Sequence, residues 1–419
     1  MAEANATESS IARLFDAVCS GHGTRIPTLA QVQPLIMPVK WTLDVMVPMP
    51  AHLTNDDSVL SLLHAVESMC VANEDKRAAT ETYETRRLVL ESGIAAHVMN
   101  LGMRYLGQSV LSTAAVDCCT RALNVLGQLS QQQLPQCCTD WDGAFCDGDC
   151  ADGAPRRLVE VNPGVLMSLL LGVMSNYALR KLHRTAMWTL SNVLCDNPLL
   201  AMDARVTHAI DQALHDTHVD NGAAVEAAWC VNNLLAMEDA VAGTHGDVTQ
   251  RELLAAVHKR TPRLFASYTE LLTSRHVANY DMRMDMLSAI DDALMPPSAA
   301  PECVQHILLA GLESLSFVLS DRVPAHGKQK REVSALVHRM LRTYARDIEA
   351  LNECYAEDTC GDYDDKDEEE ARATTTAAAT ATVNEAGDGA SGMFGMLANA
   401  RMHEQWRAQC DDDDDETWL

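Results

Sequence analysis

Aromatic residues make up only 5% of this 419-residue chain, while Ala, Leu, Met and Val abound. That shortage speaks against sheets, which favour aromatic and β-branched side chains, and points to helices. Positive charge is also scarce. Lys and Arg number 32 against 59 Asp and Glu, a formal charge of −27. This balance argues against a nucleic-acid binder of the usual basic kind, and a field of this sign attracts a basic protein partner instead. Long apolar runs are missing. The richest stretch, Val165 to Leu179, is broken by Ser168, Gly172, Ser175 and Asn176, so no membrane span is expected. The N-terminal stretch lacks a basic n-region and an apolar h-region, so no secretory leader is expected either.

Chemistry-bearing motifs are absent too. There is no Gly-x-Ser-x-Gly, no His-Glu-x-x-His and no phosphate-cradling Gly-rich loop after a strand, so no catalytic residue and no cofactor is expected. The 14 cysteines are scattered, and Cys118, Cys119, Cys195 and Cys230 fall inside helical patterns. They read as reduced thiols packed as small hydrophobes, which places the chain in the cytoplasm or the nucleus.

What is present divides the chain by composition. Residues 1–57 hold a short amphipathic piece, Ile11 to Val18, then a stretch punctuated by Pro27, Pro34, Pro38, Pro48 and Pro50; an irregular segment is expected there. Between 58 and 348 the apolar pattern is helical almost throughout. Residues 355–392 are acidic and low in complexity, a composition expected to be disordered. Residues 393–419 combine a short helical pattern, Met393 to Trp406, with the run Asp411 to Asp415. From 355 onward 18 acidic residues face 4 basic ones, so the body is itself acidic.

A repeat organises the body. Ala186-Met-Trp-Thr-Leu-Ser-Asn-Val-Leu194 and Ala227-Ala-Trp-Cys-Val-Asn-Asn-Leu-Leu235 both carry Trp-x-x-x-Asn inside an apolar helix. The step from Trp188 to Trp229 equals that from Asn192 to Asn233. It is a period of about 40 residues, in the range of armadillo and HEAT repeats. At about 100° per residue, Ala186, Leu190 and Val193 share one face, and Trp188 with Asn192 point about 160–200° away from it. Ala223, Ala227, Val231 and Leu234 repeat the stripe, with Trp229 and Asn233 opposite. Weaker copies carry Asn124 and Gln128, Leu287 and Asp291, and Leu336 and Met340 at the matching positions; Leu60 to Met69 reads as a first, degenerate copy. Shorter helices precede several copies, opened at Ser92-Gly93, Asn162-Pro163 and Thr261-Pro262, where Gly or Pro suits a sharp corner.

These residues resemble the armadillo repeats of the importin-alpha (karyopherin-alpha) family. Leu88-Val-Leu-Glu-Ser-Gly-Ile94 resembles the corner between first and second helices, and Ala186 to Asn192 the third helix. Asp196 stands after Trp188 and Asn192 as in the family's Trp-x-x-x-Asn-x-x-x-Asp pattern. The resemblance implies an all-α, right-handed armadillo superhelix (an α-solenoid) of about six repeats. It also implies a groove that holds a nuclear localisation signal, with Trp188 and Trp229 walling lysine stems, Asn192 and Asn233 clamping the peptide backbone, and Asp196 supplying charge. Glu226 and Asp291 are further rim candidates. The chemistry agrees: indole faces attract cations by roughly 0.5–2 kcal/mol, and a carboxylate adds a charge-assisted hydrogen bond. The partner implied is a protein with a basic linear motif, together with a transport receptor. Three departures stand beside this. No basic N-terminal arm like the family's is expected, since the stretch from Met1 to Lys40 holds only Arg13, Arg25 and Lys40 as cations. Met237 stands where a second Asp would be. Only two repeats keep the Trp-Asn pair. The alternative is an armadillo scaffold of a larger cytoskeletal or ciliary assembly that binds folded partners, the Trp and Asn residues serving to stiffen the stack.

An insertion at about 134–156 separates two copies and holds Cys137, Cys138, Cys146 and Cys150. Four thiolates suit a structural zinc. The spacing is not that of paired Cys-x-x-Cys knuckles and no His accompanies them, so an acidic loop with free thiols is the expectation and no metal is assigned.

Overall fold

The computed structural model describes residues 29–49, 54–71, 76–108, 111–131, 157–215, 221–236, 248–274, 280–295, 300–320 and 327–344. Fifteen α-helices and two 3-10 segments make up nearly all of this, with no strand among the described residues. No single described helix is long and apolar enough to cross a membrane. The Ile11–Val18 piece, the Cys137–Cys150 insertion and everything from 345 onward lie outside the described residues. The chain divides into two units, with the boundary between Tyr268 and Thr269.

The first unit opens with α1 (Leu29–Met46), which contains Pro34 and Pro38. This corrects the expectation of an irregular segment up to residue 57. A helix-interior proline loses one hydrogen bond and crowds the preceding turn. Here Val32, Leu35, Ile36, Val39, Leu43 and Met46 recur every three or four residues, and all are buried. Burying six such side chains at about 1.5–3 kcal/mol each outweighs two breaks. Next come α2 (Asp56–Cys70), α3 (Lys76–Glu91), α4 (Ile94–Leu106) and α5 (Thr113–Ser130), then α6 (Leu158–Val161), α7 (Pro163–Met174) and α8 (His183–Asp196). The unit continues with α9 (Ala204–His215), α10 (Asn221–Leu235), α11 (Gln250–Arg260) and the first half of α12 (Leu264–Thr273).

Two layers emerge from the packing. One runs α1, α4, α7, α9; the other runs α2, α5, α8, α10, each helix lying on the next. Connecting elements (α3, α6, the 3-10 segment Pro198–Met202, α11) turn the corners between them. This is the three-helix plan of an armadillo repeat, and the chain is an all-α array of that type. The corners use the chemistry the sequence advertises. Gly93, between α3 and α4, has φ +83°, a left-handed conformation that a Cβ would strain. Asn162 caps α7 by accepting from the Val165 N–H at 3.2 Å, with Pro163 at the first helical position.

The apolar stripes lie where the periodicity put them. Ala186, Leu190, Val193, Leu179 and Leu182 are buried, as are Ala223, Ala227, Val231 and Leu234. Cys70, Cys118, Cys119 and Cys230 are buried free thiols, whereas Cys195 is exposed. Burial pushes the Cys118 thiol up to about 11. Buried Arg86, on α3, ties the ends of α2 and α5 together. It donates to the Cys70 carbonyl at 2.9 Å, the Gln128 side chain at 2.9 Å and the Gln131 carbonyl at 2.5 Å.

The second unit holds α13 (Tyr280–Leu294), α14 (Glu302–Ser320) and α15 (Gly327–Thr343), packed on one another. Arg283 repeats the role of Arg86, donating to the carbonyls of Leu272 at 3.1 Å and Ser274 at 2.6 Å. With α12–α13 and α14–α15, the described helices give six successive pairs.

Candidate functional site

The layer α2, α5, α8, α10 carries the residues that the repeat singled out. At α8, Trp188 is half-buried. Its six-membered ring occupies a notch on α5 left by Gly127: a Cβ at that position would lie 2.0 Å from Cζ3 of the indole. Trp188 therefore packs between neighbouring helices, with part of its surface exposed. At α10, Trp229 is 37% exposed, an open indole on the same register.

The asparagines are engaged sideways. Asn192 Nδ2 donates to Ser130 Oγ on α5 at 3.2 Å, and Asn233 Nδ2 donates to the Ser191 carbonyl on α8 at 2.7 Å. Asn124 does the same one helix earlier, donating to Glu67 on α2 at 2.9 Å. These amides form a row of ties across the layer. Each keeps a carbonyl oxygen and a second N–H in its inventory, but the first donor is committed to the fold.

Charge sits one turn before the Trp register. Arg121, on the turn ahead of Asn124, pairs with Glu67 on the preceding helix. Glu226, on the turn ahead of Trp229, pairs with Arg184 on its preceding helix at 3.5 Å. The two bridges occupy the same register with opposite polarity. Arg184 is 68% exposed and Glu226 only 13%. Burial raises the Glu226 carboxyl above its ordinary range, and the Arg184 guanidinium opposes that. Between α2 and α5 lies an open depression of about 600 Å³, lined by Leu60, Ser61, His64, Asp117, Thr120, Arg121 and Asn124.

Asp196 lies at the far end of α8, about 12 Å along the axis from Trp188. One of its carboxylate oxygens is shut from solvent, and its backbone carbonyl accepts from Arg157 at 3.2 Å. A cation of the chain itself is thus tied to the backbone of the residue whose carboxylate the resemblance assigned to a ligand lysine. Asp291 belongs to the second unit, where its carboxylate accepts from the Tyr344 hydroxyl at 2.8 Å. No group of three or more His, Cys, Asp and Glu among the described residues is arranged to hold a metal ion.

Trp188, Asn192, Trp229, Asn233 and Glu226 thus share one two-helix surface, and Asp196 borders it. Sequence reasoning missed Gly127, Arg184, Arg121 and Glu67. Their partners lie at least a full repeat away along the chain, and only the stacking register, which places position 121 like position 226, would have flagged them.

No family model and no curated protein matches the chain. Among solved structures it is similar to a designed armadillo repeat protein, at 11% identity and a TM-score of 0.45, covering 71% of this chain and 98% of that one. An engineered protein matches at 10% identity and a TM-score of 0.30, covering 81% of this chain and 96% of its own. The fold assignment rests on this chain's own helix stacking.

Proposed function

We propose that the chain is a non-catalytic, importin-alpha-like adaptor. Its α8–α10 surface holds an extended Lys/Arg-rich segment of another protein, similar to a nuclear localisation signal. The observation that carries this is the open Trp229 indole one turn from the Glu226 carboxylate. An indole face and a carboxylate together suit a lysine stem and its ammonium. The net charge of −27 supplies the long-range attraction. The setting is protein import between cytoplasm and nucleus, with a transport receptor as second partner.

The test is fluorescence anisotropy of a short Lys-rich peptide against the full chain. Trp229→Ala is the informative variant, because Trp188→Ala also opens a packing defect over Gly127. Binding at micromolar or tighter, weakened about tenfold by Trp229→Ala and again by Glu226→Gln, supports the groove reading. Asp196→Asn is expected to have the smaller effect, since Arg157 already faces that end. Binding that ignores these changes and disappears with salt would mean only that an acidic protein attracts a basic peptide. A scaffold contacting folded partners would then be the better reading. The Asn ties and the Trp188–Gly127 packing favour that second reading, because they spend motif residues on stiffness.

A further inference from the structure

The first unit carries a basic island at its corner helices, on elements other than the two that bear Trp188 and Trp229. The N-terminus of α9 and the α11–α12 corner are pinned together by two buried contacts. Thr207 Oγ1 and Thr261 Oγ1 lie 2.6 Å apart. One turn further on, Ser267 Oγ donates to Asp211 Oδ1 at 2.5 Å and lies 2.9 Å from His215 Nε2. That pinning gathers Arg205 from α9, Lys259 and Arg260 from the last turn of α11, and Arg263 from the turn before α12. All four are exposed, Arg205 to 75%.

Among the described residues, local anions do not balance them. Asp203 takes the Arg205 guanidinium on both oxygens, with Nη2 at 2.6 Å from Oδ2 and Nε at 3.1 Å from Oδ1. Arg260 donates to the Met202 carbonyl. The C-terminus of α11 contributes about half a negative charge. Four cations against one carboxylate and a helix end leave an excess of roughly 2.5 positive charges, in a chain whose total is −27. Asp211 is buried and engaged with Ser267, so it does not offset the surface.

We propose that this island is a second protein-binding surface, which takes a short acidic segment of a partner through carboxylate contacts to Lys259, Arg263 and the outer edges of Arg205 and Arg260. The Asp203–Arg205 pair shows the chemistry already in use: a carboxylate seated in an arginine fork, the geometry such pairs favour. A long polyanion is a poor fit. Two helix ends span only about 10–12 Å each, and a nucleic acid or a membrane face would extend beyond the island over a chain of net charge −27 and be repelled. A segment of a few Asp or Glu residues ends within it.

The test uses the full-length chain and a fluorescein-labelled hexaglutamate peptide, read by anisotropy at about 100 mM salt. The variant is Lys259→Glu with Arg263→Glu, which leaves the Arg205–Asp203 and Arg260–Met202 contacts in place. Micromolar binding that falls more than thirtyfold in the double variant at unchanged Tm is the expected result. Trp229→Ala should leave it unchanged, which separates this surface from the α8–α10 groove. Hexaglutamate bound no better than an uncharged peptide, or equally by the double variant, would overturn the proposal. So would tighter binding to a duplex oligonucleotide or to phosphatidylserine vesicles than to the peptide.

Discussion

Trp188 and Trp229 occupy one register in successive repeats, yet the fold uses them differently. Trp188 presses its ring into the notch at Gly127. Trp229 leaves over a third of its surface open. A motif shared by two repeats therefore does not carry a shared role. What sits on the helix behind each ring decides how much of it remains for a partner.

The largest expected contrast is in stability. Trp188→Ala should cost about 3 kcal/mol in urea unfolding, as truncated core aromatics do, and Trp229→Ala less than about 1 kcal/mol. Equal costs would erase the distinction drawn between the two rings. Next is Gly127→Ala, which drives a methyl into the Trp188 ring and should cost about 1–3 kcal/mol. In the background of Trp188→Ala that cost should largely vanish, and a double-mutant cycle reads the coupling directly. Asn233→Ala, which unties the Ser191 carbonyl, should cost about 1 kcal/mol, and Asn192→Ala a similar amount; neither should alter the helical circular dichroism. The smallest effect concerns pH. Burial raises the Glu226 carboxyl, so its favourable contribution is fully present below the unfolded value of 4.5 and is lost as pH rises through the raised one. Glu226→Gln should flatten that part of the stability–pH curve, measured by urea midpoints between pH 4 and 7. No comparable slope is expected to change in Trp229→Ala.

Much of the array was legible because its signals are local. The apolar stripes of α8 and α10, the Trp-Asn pairs that set the repeat period, and the Gly93 and Pro163 corners all depend on residues within one or two turns of each other. What escaped depends on neighbours across the stack. Nothing near Trp188 in sequence announces Gly127, and the Glu226–Arg184 and Arg121–Glu67 bridges each join helices from successive repeats. The α1 helix escaped for a different reason: Pro34 and Pro38 mask the helical spacing of Val32, Leu35, Val39 and Leu43, although burial outweighs local propensity. At the candidate site the residue types were readable while their availability was not. The ties made by Asn192 and Asn233 exist only once adjacent helices are stacked.

The two layers of the first unit have one further consequence, for how the chain acquires its structure. Within their layer, α2, α5, α8 and α10 each rest only on the helix before and the helix after. A newly made repeat therefore finds its docking surface already in place on the preceding pair. Folding can advance from the N-terminal end while synthesis continues. The joint between α5 and α8 interrupts this rhythm. Asn124 and Trp188, at matching positions, are separated by well over one repeat period, and α8 must wait for that extra length before it can close over Gly127. A ribosome-stalled series should show protease resistance growing repeat by repeat, with its longest pause at that joint.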